Sequence, residues 1–174
     1  MNKLTLKKVI TLAIFAALLA IPAGNVFANG QSDTATVETS ATIMSPLTIE
    51  GVQGLNFGQI FTPSSAVTAV VSHTGATSGA EWFSTADVTP AQFTVNGEPG
   101  MAVNVTLPTA SYQVSNGADS MTVSNFTSNV VGNTVTLDGI GDATINIGAS
   151  LSIAAGQRSG LYEDSASLSV TVSY

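Results

Sequence analysis

The chain has no cysteine, one histidine, one tryptophan and only four basic residues among 174. Each scarcity removes a class of function. Without cysteine there is no disulfide framework and no thiolate nucleophile or metal ligand, so a stable fold must rest on its core alone. His73 has no companion histidine with which to build a zinc site. It also lacks a Gly-x-Ser-x-Gly elbow to pair with, so a Ser-His-Asp triad has no support. No cofactor motif, small-molecule substrate signature or catalytic constellation is evident, and the expectation is a protein that is not an enzyme.

Basic residues are scarcer still beyond the first few positions. Lys3, Lys7 and Lys8 precede an apolar run from Val9 to Ala23, and Val26-Phe27-Ala28 follows with compact residues at the positions a signal peptidase reads. The pattern predicts a signal peptide over 1–28, a product beginning at Asn29, and a secreted protein located in a bacterial periplasm, at the cell surface or outside the cell. The run is short for a bilayer span, which needs roughly 20 residues. Cleavage would leave Arg158 against eleven carboxylates, a formal net charge of −10. Such a surface repels phosphate backbones and anionic lipid, so nucleic acid is not an expected partner.

What remains is Ser, Thr, Gly, Asn, Val and Ala in short alternating runs between turn signals, the pattern of an all-β protein. Ala35 to Ile43 alternates, and Pro46 interrupts it before Leu47-Thr48-Ile49. Further runs are 66–71, 92–95, 101–107, 120–123, 134–137, 143–147 and 149–153, with Asn96-Gly97 as a turn dipeptide. Roughly nine or ten strands favour two packed antiparallel sheets over a closed barrel. Pro46 suggests a first strand that bends or switches sheets. The piece 72–90, with Trp82 and Pro90, is the longest irregular stretch.

The remaining chemical candidates are weak. Asp138-Gly139-Ile140-Gly141-Asp142 lacks the spacing of a calcium loop and reads as an ordinary turn. Trp82 with Phe83 beside Glu81 could form a sugar-stacking platform, but a lone tryptophan is more often a plug between sheets.

Several motifs recur in a familiar order: Ser45-Pro46-Leu47-Thr48-Ile49, Leu55-Asn56-Phe57-Gly58, Ala91-Gln92-Phe93-Thr94-Val95-Asn96-Gly97, and Val105-Thr106-Leu107-Pro108. Ile147-Gly148-Ala149-Ser150-Leu151 and Gly156-Gln157-Arg158-Ser159-Gly160-Leu161-Tyr162 complete the series. Together they resemble the bacterial secreted family called domain of unknown function 4402. The final stretch is also similar to spore coat U-type domains and chaperone-usher pilins. That second resemblance implies an immunoglobulin-like, pilin-like β-sandwich lacking one strand. A periplasmic chaperone would lend the strand first, and the N-terminal extension of the next subunit would replace it.

Two segments bear on this. Residues 165–174 alternate without charge or proline, with Ala166, Leu168, Val170, Val172 and Tyr174 on one face, whereas native edge strands are normally protected. Ala35, Val37, Thr39, Ala41 and Ile43 give 29–44, an N-terminal extension or first strand, one apolar face suited to donation into the 45–174 domain. Head-to-tail self-assembly into an extracellular fibre or surface layer is one reading. A self-contained sandwich is the other, and it would act as a monomeric module binding a glycan or surface ligand through 72–90.

Overall fold

The computed structural model describes Gly30, residues 32–164 and residues 168–174. The expected signal peptide therefore lies outside the described residues. Contacts divide the chain between Ala41 and Thr42. In the first unit, the described residues belong to no strand or helix and are exposed.

The second unit is all-β, with antiparallel pairing throughout and no helix among the described residues. Its strands are β1 (Thr48–Gln53), β2 (Gln59–Ile60), β3 (Val67–Val71), β4 (Thr77–Ser78), β5 (Trp82–Ser84) and β6 (Ala91–Asn96). They continue as β7 (Ala102–Thr106), β8 (Tyr112–Ser115), β9 (Ser120–Ser128), β10 (Thr134–Thr136), β11 (Asp142–Ile153) and β12 (Thr171–Ser173). A seven-stranded sheet holds β1, β6, β11, β3 and β4, with β9 joined to β11 and β8 to β9. A three-stranded sheet runs β10-β7-β12, and β2 pairs with β5.

The spine is β11. Ala143, Ile145, Ile147, Ala149, Leu151 and Ile153 keep one apolar face unbroken, as a period of two requires. Its first half pairs with β6 and its second with β3, while β9 takes the opposite edge from Ile147 onward. The sequence reads as two strands, 143–147 and 149–153, but the structure runs straight through Gly148. A side chain there would collide with the Val71 carbonyl oxygen and with backbone atoms of Ser72 and His73, so glycine lets the two elements touch. Opposite Ala149, β9 carries an extra residue, and Asn125 absorbs the bulge at φ 52°, a conformation asparagine tolerates.

Two apolar clusters form along that face. Ile145 and Ile147 meet Val95, Val103, Val105 and Leu137, and the three-stranded sheet closes over them. Ala149, Leu151 and Ile153 meet Ala69 and Val123, with Ile60 and Trp82 of the small β2-β5 ribbon as part of the cover. Phe126 packs against both clusters.

Three further expectations need correction. The change of sheet falls between β1 and β2, around Gly54–Gly58, and not at Pro46. Asn96-Gly97 does not join paired strands, because β6 and β7 lie in different sheets. Gly97 is needed for space, as a Cβ there would press on the Tyr174 hydroxyl at 2.5 Å and on Leu137 at 2.9 Å. The 72–90 piece contains β4 and β5. In addition β8, too short to stand out in the sequence, pairs fully with β9.

Candidate functional site

The two clusters differ in how they are roofed, and the site follows from that difference. The three-stranded sheet covers only the first half of β11. Over the second half, a cleft of about 440 Å³ stays open between residues 55–63 and residues 157–164. Its floor is Tyr112 and Val114 of β8, Met121 and Val123 of β9, and Leu151 and Ile153 of β11. These are the inward residues of three neighbouring strands, so the floor is apolar for the same reason that β11 is.

Both walls are held in place. The Gly156 N–H donates to the Pro63 carbonyl at 2.9 Å, and the Thr62 hydroxyl donates to the Gln157 carbonyl at 3.2 Å. Tyr162 Oη donates to the Arg158 carbonyl at 2.8 Å and accepts from Gln157 Nε2 at 2.9 Å. Ser115 and Glu163 exchange both backbone hydrogen bonds at 3.2 Å. The opening is therefore a feature of a bonded framework.

Charge gathers at the rim. Arg158 Nε lies 3.2 Å from Asp119 Oδ2. The pair is well exposed, so it contributes little stability. On the floor, burial and then the charge of Asp164 raise the pKa of the Tyr112 hydroxyl, which stays protonated at neutral pH. The Tyr112 ring stacks on Phe126 at a centroid distance of 5.9 Å.

The expected donor residues Ala35, Val37, Thr39, Ala41 and Ile43 all lie outside any strand. Val37 is 88% exposed and Ile43 94%. In the final stretch, Ala166 lies outside the described residues. Leu168, Val170 and Val172 pack half-buried against the first cluster, and Val172 pairs with Val105 of β7. Tyr174 reaches back: its hydroxyl donates to the Ser45 carbonyl at 3.0 Å and accepts from the Glu98 N–H at 2.8 Å. The floor of the cleft was not singled out in the sequence, although alternation in Tyr112-Gln113-Val114 and Met121-Thr122-Val123 is the signal that marks it.

Trp82 points inward, packing on the second cluster and donating from Nε1 to the Phe57 carbonyl at 2.8 Å. It is a plug and not a platform. The outward side of the same ribbon carries Phe61 and Phe83, edge to face with centroids 5.4 Å apart. Among the described residues no three His, Asp or Glu side chains converge as metal ligands. Asp138 Oδ1 instead accepts the N–H groups of Asp142 and Ile140, each at 2.9 Å, and these bonds lower its pKa. No helix of the described residues is long and apolar enough to cross a membrane.

Comparison with known proteins matches residues 47–174 to the family described as Domain of unknown function (DUF4402). No curated protein and no solved structure matches the chain.

Proposed function

The chain belongs to the DUF4402 family over residues 47–174, and from that footing we propose that it is a non-enzymatic secreted structural subunit of an extracellular fibre or surface assembly. In this reading the domain is an immunoglobulin-like, pilin-like sandwich short of one strand, and it polymerises by strand addition. The donor is the 35–43 segment of another copy. A periplasmic chaperone holds the cleft before assembly.

The observation that carries the reading is a complementary pair. One part of the chain is an apolar-floored cleft, and another is a solvent-exposed segment with alternate apolar residues and no strand of its own. An added strand gives main-chain bonds along its edge and sends alternate side chains into pockets. The segment also matches the floor in chemistry, since Ala35, Val37, Ala41 and Ile43 are apolar and Thr39 is compact.

Val37→Asp tests it. The side chain is almost fully exposed in the single chain, so the monomer should melt as before. Seating it against the apolar floor of the cleft, on Met121, Val123, Leu151 and Ile153, would bury an unpaired charge, at a cost of several kcal/mol, and polymers should vanish on sizing and in micrographs. Thr36→Asp, on the opposite face, should assemble normally. A Val37→Asp protein that still forms filaments would remove the donor role. A cysteine-free wild type that stays monomeric at every concentration would remove the assembly reading altogether.

A further inference from the structure

Among the exposed large apolar side chains of the Thr42–Tyr174 unit, two groups stand at its two ends, apart from Val52 and Val131. At one end Ser45 is fastened: its N–H donates to Glu98 Oε2 at 2.8 Å and its carbonyl accepts from Tyr174 Oη at 3.0 Å. The turn bearing Glu98 is bonded in turn to the 138–142 turn, through Gly97 N–H to the Gly141 carbonyl at 2.9 Å and Gly100 N–H to the Asp138 carbonyl at 3.1 Å. Around this end Met44, Met101 and Ile140 stand exposed at 47%, 38% and 79%. At the other end, Phe61, Phe83 and Leu161 flank the cleft, exposed at 48%, 68% and 75%.

Strand length separates these ends. β11 begins at Asp142, beside the fastened turn, and ends at Ile153 in the floor of the cleft. At about 3.3 Å per residue, that is roughly 35 Å. Ile43 lies two residues from Ser45 and reaches no more than about 7 Å from it. With Ser45 fastened, Ile43 cannot enter the cleft of its own chain. A segment seated through Ile43 must come from another copy, and that copy must bring its fastened end up against the mouth of the cleft.

We propose, resting on the strand-addition reading, that assembly creates a second contact between folded bodies, in which Met44, Met101 and Ile140 of one copy pack on Phe61, Phe83 and Leu161 of the next. The partner is a second copy of this chain. The contact is heterologous, because the two surfaces differ, so it propagates as a filament unless the rotation closes a ring. It also accounts for apolar turn tips on a chain whose surface is otherwise rich in Ser, Thr and Asn. Ile140 stands at the tip of the Asp138 turn, largely exposed to solvent.

The absence of cysteine makes the test clean. Full-length secreted chains carrying Ile140→Cys together with Phe83→Cys, or Ile140→Cys together with Leu161→Cys, would be treated with a short bis-maleimide. All these positions are exposed, so folding should be unaffected, and circular dichroism would verify it. A covalent ladder on a denaturing gel is expected from the end-to-end pairs and none from Val52→Cys in β1 with Val131→Cys in the turn before β10, both exposed. The ladder should disappear when Val37→Asp is added. Cysteine-free chains that assemble while the end-to-end pairs give no ladder would overturn this contact and leave strand addition standing. Chains that never assemble would overturn both. A ladder that persists with Val37→Asp would keep the end-to-end contact but cut its link to the donor segment, overturning the inference as stated.

Discussion

The two halves of β11 carry the same kind of face and come to different ends. Ile145 and Ile147 lie at 0% exposure beneath the three-stranded sheet, with Val103 and Val105 directly across. Leu151 and Ile153 are nearly as apolar in setting but floor an open cleft, because the sheet above stops short. One half is a finished core. The other is buried too, with Leu151 at 4% and Ile153 at 6% exposure, but its cover is the small β2-β5 ribbon and neighbouring loop residues, which leave a cleft beside it. The difference lies in what sits above β11, not in β11 itself.

That contrast can be tested by substitution. Ile145→Ala should cost about 4 kcal/mol and Leu151→Ala about 2 kcal/mol in urea unfolding, since a large-to-small change costs most where neighbours cannot relax into the gap. Equal losses would mean that the second cluster is as tightly closed as the first.

Filling the cleft should erase part of the difference. A peptide of sequence ATVETSATI, added to the Val37→Asp chain so that no intact donor competes, should raise its melting temperature. At a hundred times its Kd the gain is about 2.7 kcal/mol. The same peptide with aspartate in place of its valine should do nothing.

Further down the scale, Tyr174→Phe removes the hydroxyl that joins Ser45 to Glu98, and about 1 kcal/mol should be lost, since water can reach both groups left behind. The effect on assembly should be larger than the effect on stability, because the substitution loosens the exit of the donor segment.

The smallest effect concerns pH. The Asp138 carboxyl is held below the ordinary aspartate value of about 3.9 by the N–H groups of Asp142 and Ile140. A depressed folded pKa gives stability that is present above the unfolded value and lost as pH falls through the folded one. Stability should therefore decline below about pH 4, and Asp138→Asn should flatten that part of the curve. It should leave the cleft untouched, as its turn belongs to the opposite end.

Much of the fold was legible because period two survives in short windows. The apolar face of β11, the alternation in 102–106 and the turn at 138–142 can all be read from neighbouring residues. The cleft could not be read in this way. Tyr112, Met121, Leu151, Phe57 and Tyr162 are far apart in sequence and meet only through β8-β9-β11 pairing and the bonds of residues 156–163. Trp82 shows the same limit, since its packing on the second cluster and its bond to Phe57 separate a plug from a platform.

By itself the sequence determined that this is a cysteine-free, acidic, all-β chain with an alternating segment before Pro46, because alternation, charge and composition are local properties. The tertiary structure alone decided which apolar face is covered and which stays open, where Ser45 is fastened, and that the fastened end and the cleft lie at opposite ends. Those depend on where each strand stops, and the length of one sheet against another is set by pairing between residues that the sequence keeps far apart.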